Sequence, residues 1–519
     1  MLFHAPEFLL IFLPLALFAY HVTRRFSSVR MGFAVLVIAS IIFYGWWDPR
    51  FVILLLGSAA LNFTISRALS ARHRQDTSSR GLLWTGIALN LGALGFFKYA
   101  NFFAANVSVA TGFNIAFLEI ALPLAISFFT FQQIAFLVDT SSGTALDPDP
   151  LSYMLFVTFF PQLIAGPIVH HSEMMPQFTD QTHTPRIWDD LAIGLIVFCI
   201  GLFKKTMIAD KMGFWSDRIF DAATLGAPVA ILEAWTGALA FTFQIYFDFS
   251  GYTDMAIGLA LMFGVRLPIN FASPYKAESI IDFWRRWHIT LSRFLRDYLY
   301  VPLGGSRHGS TRRYTNLLVV MLLGGLWHGA AWTFVLWGAM HGTFLIINHG
   351  WRRFTGARAG NSLVRWTHRS LTFLMVVLAW VMFRADSLDT AQTVYAGMAG
   401  LNGIVLPAHY FGALGSFGGT LANWGVTFGL TPNFGGGFQV LWLFGALAFV
   451  WFLPNTQTIM RDHRPVLGDT ISKAGTFSRA LGHVALPNLA TGLALGIVAA
   501  FLALRQLQGQ PGEFIYFQF

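Results

Sequence analysis

Charge is scarce in this chain. Only 11% of its 519 residues are Asp, Glu, Lys or Arg, against roughly 25% in an ordinary soluble domain. So few charges cannot cover the water-facing surface of a folded body of this size. That excludes a typical cytosolic enzyme and a charged, disordered scaffold. Cysteine is nearly missing as well. Cys199 stands alone in the apolar run LAIGLIVFCIGLF, which allows neither an intrachain disulfide nor a multi-cysteine metal site. A secreted disulfide mini-protein is thereby excluded, and Cys199 reads as a small buried hydrophobe. Several chemical signatures are absent too: no GxxxxGK[ST] phosphate loop, no HExxH zinc helix and no GxSxG nucleophile elbow. His170 and His171 are adjacent, so one helix face cannot present both, and they read as loop residues rather than metal ligands. No metal site is expected.

What the chain has instead is apolar and aromatic: 55% hydrophobic residues, 53 Phe and 17 Trp, with a mean hydropathy of +0.57. This composition is that of an all-α polytopic integral membrane protein. The formal charge of +9 suggests nucleic acid at first sight, but a few bases packed into short loops suit membrane topology better, and no nucleic-acid partner is expected. A span needs about 20 mostly apolar residues. Candidate runs lie near 8–21, 31–47, 51–66, 82–97, 120–138, 152–169, 190–208, 229–247, 252–264, 315–336, 337–349, 370–384, 437–453 and 486–505. Some are short enough to merge or to enter without crossing, so about 11–13 transmembrane or re-entrant helices are expected. The opening run carries Glu7 where a signal peptide has bases, and Arg24 and Arg25 follow it. It reads as a retained first helix.

Lys and Arg orient the chain. Arg24, Arg25 and Arg30 form one cluster, Arg67, Arg72, Arg74 and Arg80 a second, Lys204, Lys205 and Lys211 a third, and Arg352, Arg353 and Arg358 a fourth. No Lys or Arg occurs between Lys98 and Arg186, or between Arg384 and Arg461. The positive-inside rule places the clusters in the cytoplasm and the Gly- and aromatic-rich segment 386–436 outside. That segment reads either as a cover over the outer mouth and a docking surface, or as a passive loop. The 175–190 stretch reads as a loop. No repeat or separate soluble domain is evident, so residues 1–519 are expected to form a single membrane domain.

The informative block is 244–350. Asp248, Ser250, Tyr252 and Asp254 lie in an apolar stretch. Intramembrane carboxylates are costly, so Asp248 and Asp254 either belong to a structural polar network or line a substrate path. The next stretch carries Lys276, Arg285, Arg286, Arg293, Arg296, Arg307, Arg312 and Arg313 against Glu278, Asp282 and Asp297. Wound as one helix over 280–298, it puts Trp284, Trp287, His288, Leu291, Phe294 and Leu295 on one face and Arg285, Ser292 and Arg296 on another. That is an amphipathic interfacial helix. Its bases either anchor to anionic lipid head groups or form the entrance for an anionic cytosolic ligand. His328 follows, flanked by Trp327 and Gly329, in a run without charges where an imidazole remains able to accept a proton. His341 and His349 come after it and read more simply as structural residues.

FDFSGYTDMAIGLALMFG, INFASPY, DFWRRWHITLSRFLRDYLYVPLGG and GGLWHGAAWTFVLWGAMHG, with the opening MLFHAPEFLLIFLPLAL and the late PNTQTIM, together resemble the membrane-bound O-acyltransferase (MBOAT) family. The likeness is to its bacterial polysaccharide branch, that of the alginate O-acetyltransferase membrane subunit, and it covers nearly the whole chain. The resemblance implies a ring of helices around a tunnel, with a thioester donor entering from the cytoplasm. It implies His328 as the catalytic residue and His288 as the second polar signature position. Many eukaryotic members have Asn or Asp there, so the role of His288 is not copied from them; it would orient the donor, stabilise developing charge or form part of the tunnel floor. Trp284, Trp287 and Trp327 would wall the site from water, and Arg285, Arg286 and Arg293 would meet the anionic donor. The expected activity is acyl transfer, with acetyl-CoA as donor substrate, no bound cofactor and an exported polysaccharide such as alginate as acceptor. The expected setting is the bacterial inner membrane, with lipid and an extracytoplasmic partner of SGNH-hydrolase-like or acyl-carrier type. A polytopic transporter or a secretion-complex scaffold without chemistry stays as the alternative.

Overall fold

The computed structural model describes residues 1–179, 187–355, 361–468, 512, 514 and 515. Helices dominate. Among the described residues, five are long and apolar enough to cross a membrane: Phe8–Phe26, Arg50–Arg74, Arg80–Thr111, Ile187–Thr224 and Ser362–Arg384. Val29–Gly45 and Gly436–Phe452 are shorter apolar helices. Large side chains such as Phe18, Ile53, Trp84, Val109 and Phe444 point outward and are exposed. Apolar surface on this scale belongs against lipid, where a helix also satisfies its own backbone. The run at 486–505 lies outside the described residues.

Several boundaries differ from the sequence expectation. The runs 229–247 and 252–264 join into one 32-residue helix, Ile231–Met262, which continues through Ser250 and Gly251. The run at 152–169 is instead broken into Pro150–Thr158 and Phe160–Leu163, with Phe159 non-helical between them. The 175–190 stretch is not a loop throughout: His171–Thr179 and Ile187–Phe203 are helical. Pro176 lies inside the first of these and contributes no backbone donor to it.

The chain divides into two compact units. The described residues of the first lie within 1–203, 250–270 and 456–515. In it, Asn62 and Asn90 exchange side-chain hydrogen bonds of 2.7 and 3.2 Å between neighbouring helices, polar contacts of the kind that join helices in lipid. Phe3 stacks on Tyr252 at 4.8 Å and lies beside Phe8 and Phe43. At the start of Pro150–Thr158, the Asp149 carboxylate accepts from the Ser152 amide and hydroxyl, each at 3.0 Å, and from Arg30 at 2.8 Å. Partial burial would raise its pKa, but these donors outweigh that and hold it below the ordinary carboxylate value.

The described residues of the second unit lie within Lys204–Phe249 and Phe271–Asn455. Its centre is a helical hairpin, Gly309–His328 followed by Trp332–Thr355. Glycine sets how close the two helices come. A Cβ at Gly325 would lie 2.2 Å from the Phe334 carbonyl oxygen, and one at Gly338 would lie 2.2 Å from that of Met321. The 386–436 segment is structured: Leu388–Met398 is a helix, and Ile404–Pro407 pairs in parallel with Val426–Gly429. Small helices His409–Ala413 and Ser416–Asn423 lie between those strands in sequence.

Candidate functional site

The segment read as one amphipathic helix over 280–298 is broken. Ser279 caps Ile280–Trp284 by accepting from the Asp282 amide at 3.2 Å. His288 then adopts a left-handed conformation (φ +42°, ψ +55°), and a second helix, Ile289–Leu295, begins after it. A left-handed non-glycine residue costs about 1–2 kcal/mol, although His visits this region more readily than most residues. Periodicity could not show the break, since the hydrophobic pattern continues through it. The consequence is chemical: the turn takes the imidazole off the helix face and buries it completely.

His288 meets Phe249 edge-on at 4.8 Å and lies 6.2 Å from the Trp327 ring. His328, the last residue of its helix, is 5% exposed. Its imidazole stands between Trp327 at 4.9 Å, Trp337 at 5.1 Å and Phe383 at 5.2 Å. Trp327 thus touches both sequence-identified histidines. Trp287 is buried, stacks on Phe283 at 5.7 Å and abuts Trp380 at 4.9 Å. Trp380 in turn stacks on Trp337 at 5.8 Å. The surroundings of both imidazoles are therefore aromatic and well shielded from water.

A third histidine completes the cluster. His341 is fully buried and lies 4.9 Å from Trp337. The Trp284 indole N–H donates to its Nδ1 at 3.3 Å, which puts the proton of the neutral ring on Nε2. Nε2 of His341 and Nε1 of Trp337 are both buried, and neither has an acceptor among the described residues. Buried donors without partners are uncommon in folded proteins. Trp337 packs against the His328 ring and His341 packs against Trp337, so both donors belong to the aromatic cluster that holds His328. The sequence treated His341 as structural and did not single out Trp337. The available signal was their spacing of four residues, which stacks them on one helix face.

The remaining sequence-identified residues serve in different places. Arg286 braces its own turn, donating to both Asp282 oxygens at 3.0 Å and to the Ala272 carbonyl at 3.3 Å. Arg285 is exposed and Arg293 half-buried. Asp248 lies in a buried ion triad: Lys205 Nζ is 2.7 Å from Asp248 and 2.8 Å from Asp210. Asp254 belongs to the first unit, where it accepts from Thr456 and Gln457, each at 2.6 Å. Both carboxylates thus take part in buried polar networks, and the partners of Asp254 are the Thr and Gln of the late PNTQTIM motif. Among the described residues, no cluster of three or more His, Cys, Asp or Glu is placed to hold a metal ion.

The model of the membrane-bound O-acyltransferase family matches residues 78–387, which include all three histidines. The chain is 44% identical to the peptidoglycan O-acetyltransferase of Helicobacter pylori, over 78% of this chain and 81% of that one. It is 42% identical to the probable alginate O-acetylase AlgI of Azotobacter vinelandii, over 77% and 78%. A more distant similarity, 25% over half of this chain, is to the teichoic acid D-alanyltransferase of Bacillus subtilis.

Proposed function

The chain belongs to the membrane-bound O-acyltransferase family, and from that premise we propose that it passes an acetyl group from cytosolic acetyl-CoA across the bacterial inner membrane toward an exported polysaccharide. The observation that carries this reading is His328, a shielded imidazole packed against Trp337, whose indole N–H, like His341 Nε2, has no acceptor among the described residues. In this mechanism the acceptor hydroxyl oxygen attacks the thioester carbonyl carbon while His328 takes the hydroxyl proton. The C–S bond then breaks. The CoA thiolate leaves and receives the proton. Trp337 Nε1 and His341 Nε2 supply hydrogen bonds to the carbonyl oxygen as charge develops on it. The aromatic walls keep bulk water, a competing nucleophile, from the thioester. His288 orients the donor or stabilises developing charge.

The architecture in this proposal is the family ring of about 11–13 helices around a tunnel, which lets donor and acceptor meet without moving CoA across the bilayer. The acceptor is a polymer such as alginate, as the relatives named for alginate acetylation support. The relative named for peptidoglycan acetylation makes that polymer the direct rival. An extracytoplasmic partner, of SGNH-hydrolase-like or acyl-carrier type, completes transfer, with the 386–436 segment as its docking surface. The test is reconstitution of the purified chain with labelled acetyl-CoA. Release or transfer of acetyl that His328→Ala abolishes supports the enzyme. Polymer acetylation that survives His328→Ala but not deletion of the chain would establish the scaffold reading instead. Mass spectrometry of surface polysaccharides with and without the gene identifies the polymer.

A further inference from the structure

A second polar site lies in the first unit. It is a recess of about 970 Å³ lined by Arg24, Arg266, Arg461 and Arg464, with Asp462 as the one acid on its wall among the described residues. We infer that this recess binds a phosphate ester, supplied either by an anionic lipid head group or by a soluble phosphorylated molecule.

The wall is built rather than incidental. Gln177 clamps the backbone of Arg266 from both sides, accepting from its amide at 2.8 Å and donating to its carbonyl at 3.0 Å. The Arg266 guanidinium is fixed in turn by the Arg464 carbonyl at 3.2 Å and by Asp190 at 3.2 Å. Opposite chemistry holds Arg24. It donates to the Tyr20 hydroxyl at 3.0 Å, and that hydroxyl donates to the Phe263 carbonyl at 3.0 Å. The Leu467 amide bonds to the Leu267 carbonyl at 2.9 Å, tying the strip that carries Arg461 and Arg464 to the strip that carries Arg266. Arg464 itself is held left-handed (φ +46°, ψ +55°), a conformation costly for a non-glycine residue and found where surroundings enforce it.

Charge and place then select the ligand. Among the described residues, four guanidiniums line the recess with one carboxylate, Asp462, and Asp190 pairs with Arg266. Guanidinium is always charged and its planar fork matches phosphate oxygens. Neutral oxygens help to set two of these forks: the Tyr20 hydroxyl accepts from Arg24 and the Arg464 carbonyl from Arg266. Arg24 lies in the last turn of the Phe8–Phe26 span, at the end of an apolar helix where lipid phosphates and dissolved anions are both within reach. Such a volume accommodates a head group or a small phosphorylated molecule.

The test uses the full chain, purified in a neutral detergent or placed in phosphatidylcholine nanodiscs. One arm measures retention of added phosphatidylglycerol by native mass spectrometry. The other measures binding of labelled pyrophosphate by equilibrium dialysis. Saturable binding of at least one probe is expected, weakened roughly tenfold or more by Arg464→Gln and by Arg461→Gln. Arg74→Gln, outside the recess, should bind as the parent does. Binding confined to one arm identifies the source. Arg464 holds Arg266 through its backbone, so Arg464→Gln spares that contact; should it nonetheless misfold, as near-UV circular dichroism reads, Arg461→Gln carries the result. Absence of binding by both probes, or equal binding by the recess variants and the parent, overturns the inference. The readout is binding, so it stands or fails independently of acyl transfer.

Discussion

Two buried polar settings in the second unit differ in how completely they are satisfied. Around Lys205, positive charge is answered by the carboxylates of Asp210 and Asp248 at 2.8 and 2.7 Å. Around His328, the walls are aromatic rings, and the donors at Trp337 and His341 end on no acceptor among the described residues. The first arrangement holds the fold and has little left to offer a ligand. The second retains hydrogen-bonding capacity in a place shielded from water, which is what a reacting carbonyl requires. Burial of a polar residue alone therefore does not mark a functional site; in the proposed reading, donors left open beside a shielded imidazole do.

The sharpest break in this comparison is at His328. His328→Ala should lower acyl transfer by about 10²–10⁴-fold, the usual contribution of a general base, while the purified protein remains folded and monodisperse. Asp248→Ala should do the reverse. It leaves Lys205 partly unanswered in the interior and should cost about 3–5 kcal/mol, read by thermal unfolding in detergent. Replacing both partners, Lys205→Met with Asp248→Leu, should recover most of that loss. A triad that reacts to substrate rather than to unfolding would reverse the assignment.

His341→Phe tests the donor role with the ring volume kept. It should reduce kcat by roughly 10²-fold with KM little changed. His341→Gln, which retains an N–H donor, should recover part of the rate. Equal loss in both variants, with lowered thermal stability, would make His341 a packing residue. The smallest effect belongs to Asp149, outside both settings. Asp149→Ala removes a helix cap and should cost about 1 kcal/mol. The folded carboxyl titrates below the unfolded one. Its contribution is therefore fully present above the ordinary carboxylate range and fades as pH falls through and below that range. The difference in unfolding temperature between parent and variant should accordingly shrink in acid.

Much of this was legible from residue order. Scarce charge and long apolar runs announced a helical membrane protein, because lipid permits little else of such composition. WHG, RWH and PNTQTIM carried the family, and an uncharged neighbourhood singled out His328. Other features were hidden. The merging of 229–247 with 252–264, the left-handed turn at His288 and the parallel pairing within 386–436 do not follow from periodicity, which reports which face is apolar but not where the backbone turns.

Composition and hydropathy thus determined by themselves the class of the protein and its solvent, since the cost of exposing apolar side chains to water, or backbone to lipid, depends on local sequence. Tertiary structure alone decided which polar residues are satisfied. Asp254 and Gln457, or Lys205 and Asp248, are far apart in the chain and meet only through packing. Whether a buried group finds a partner depends on neighbours within a few ångströms, and sequence separation says nothing about those.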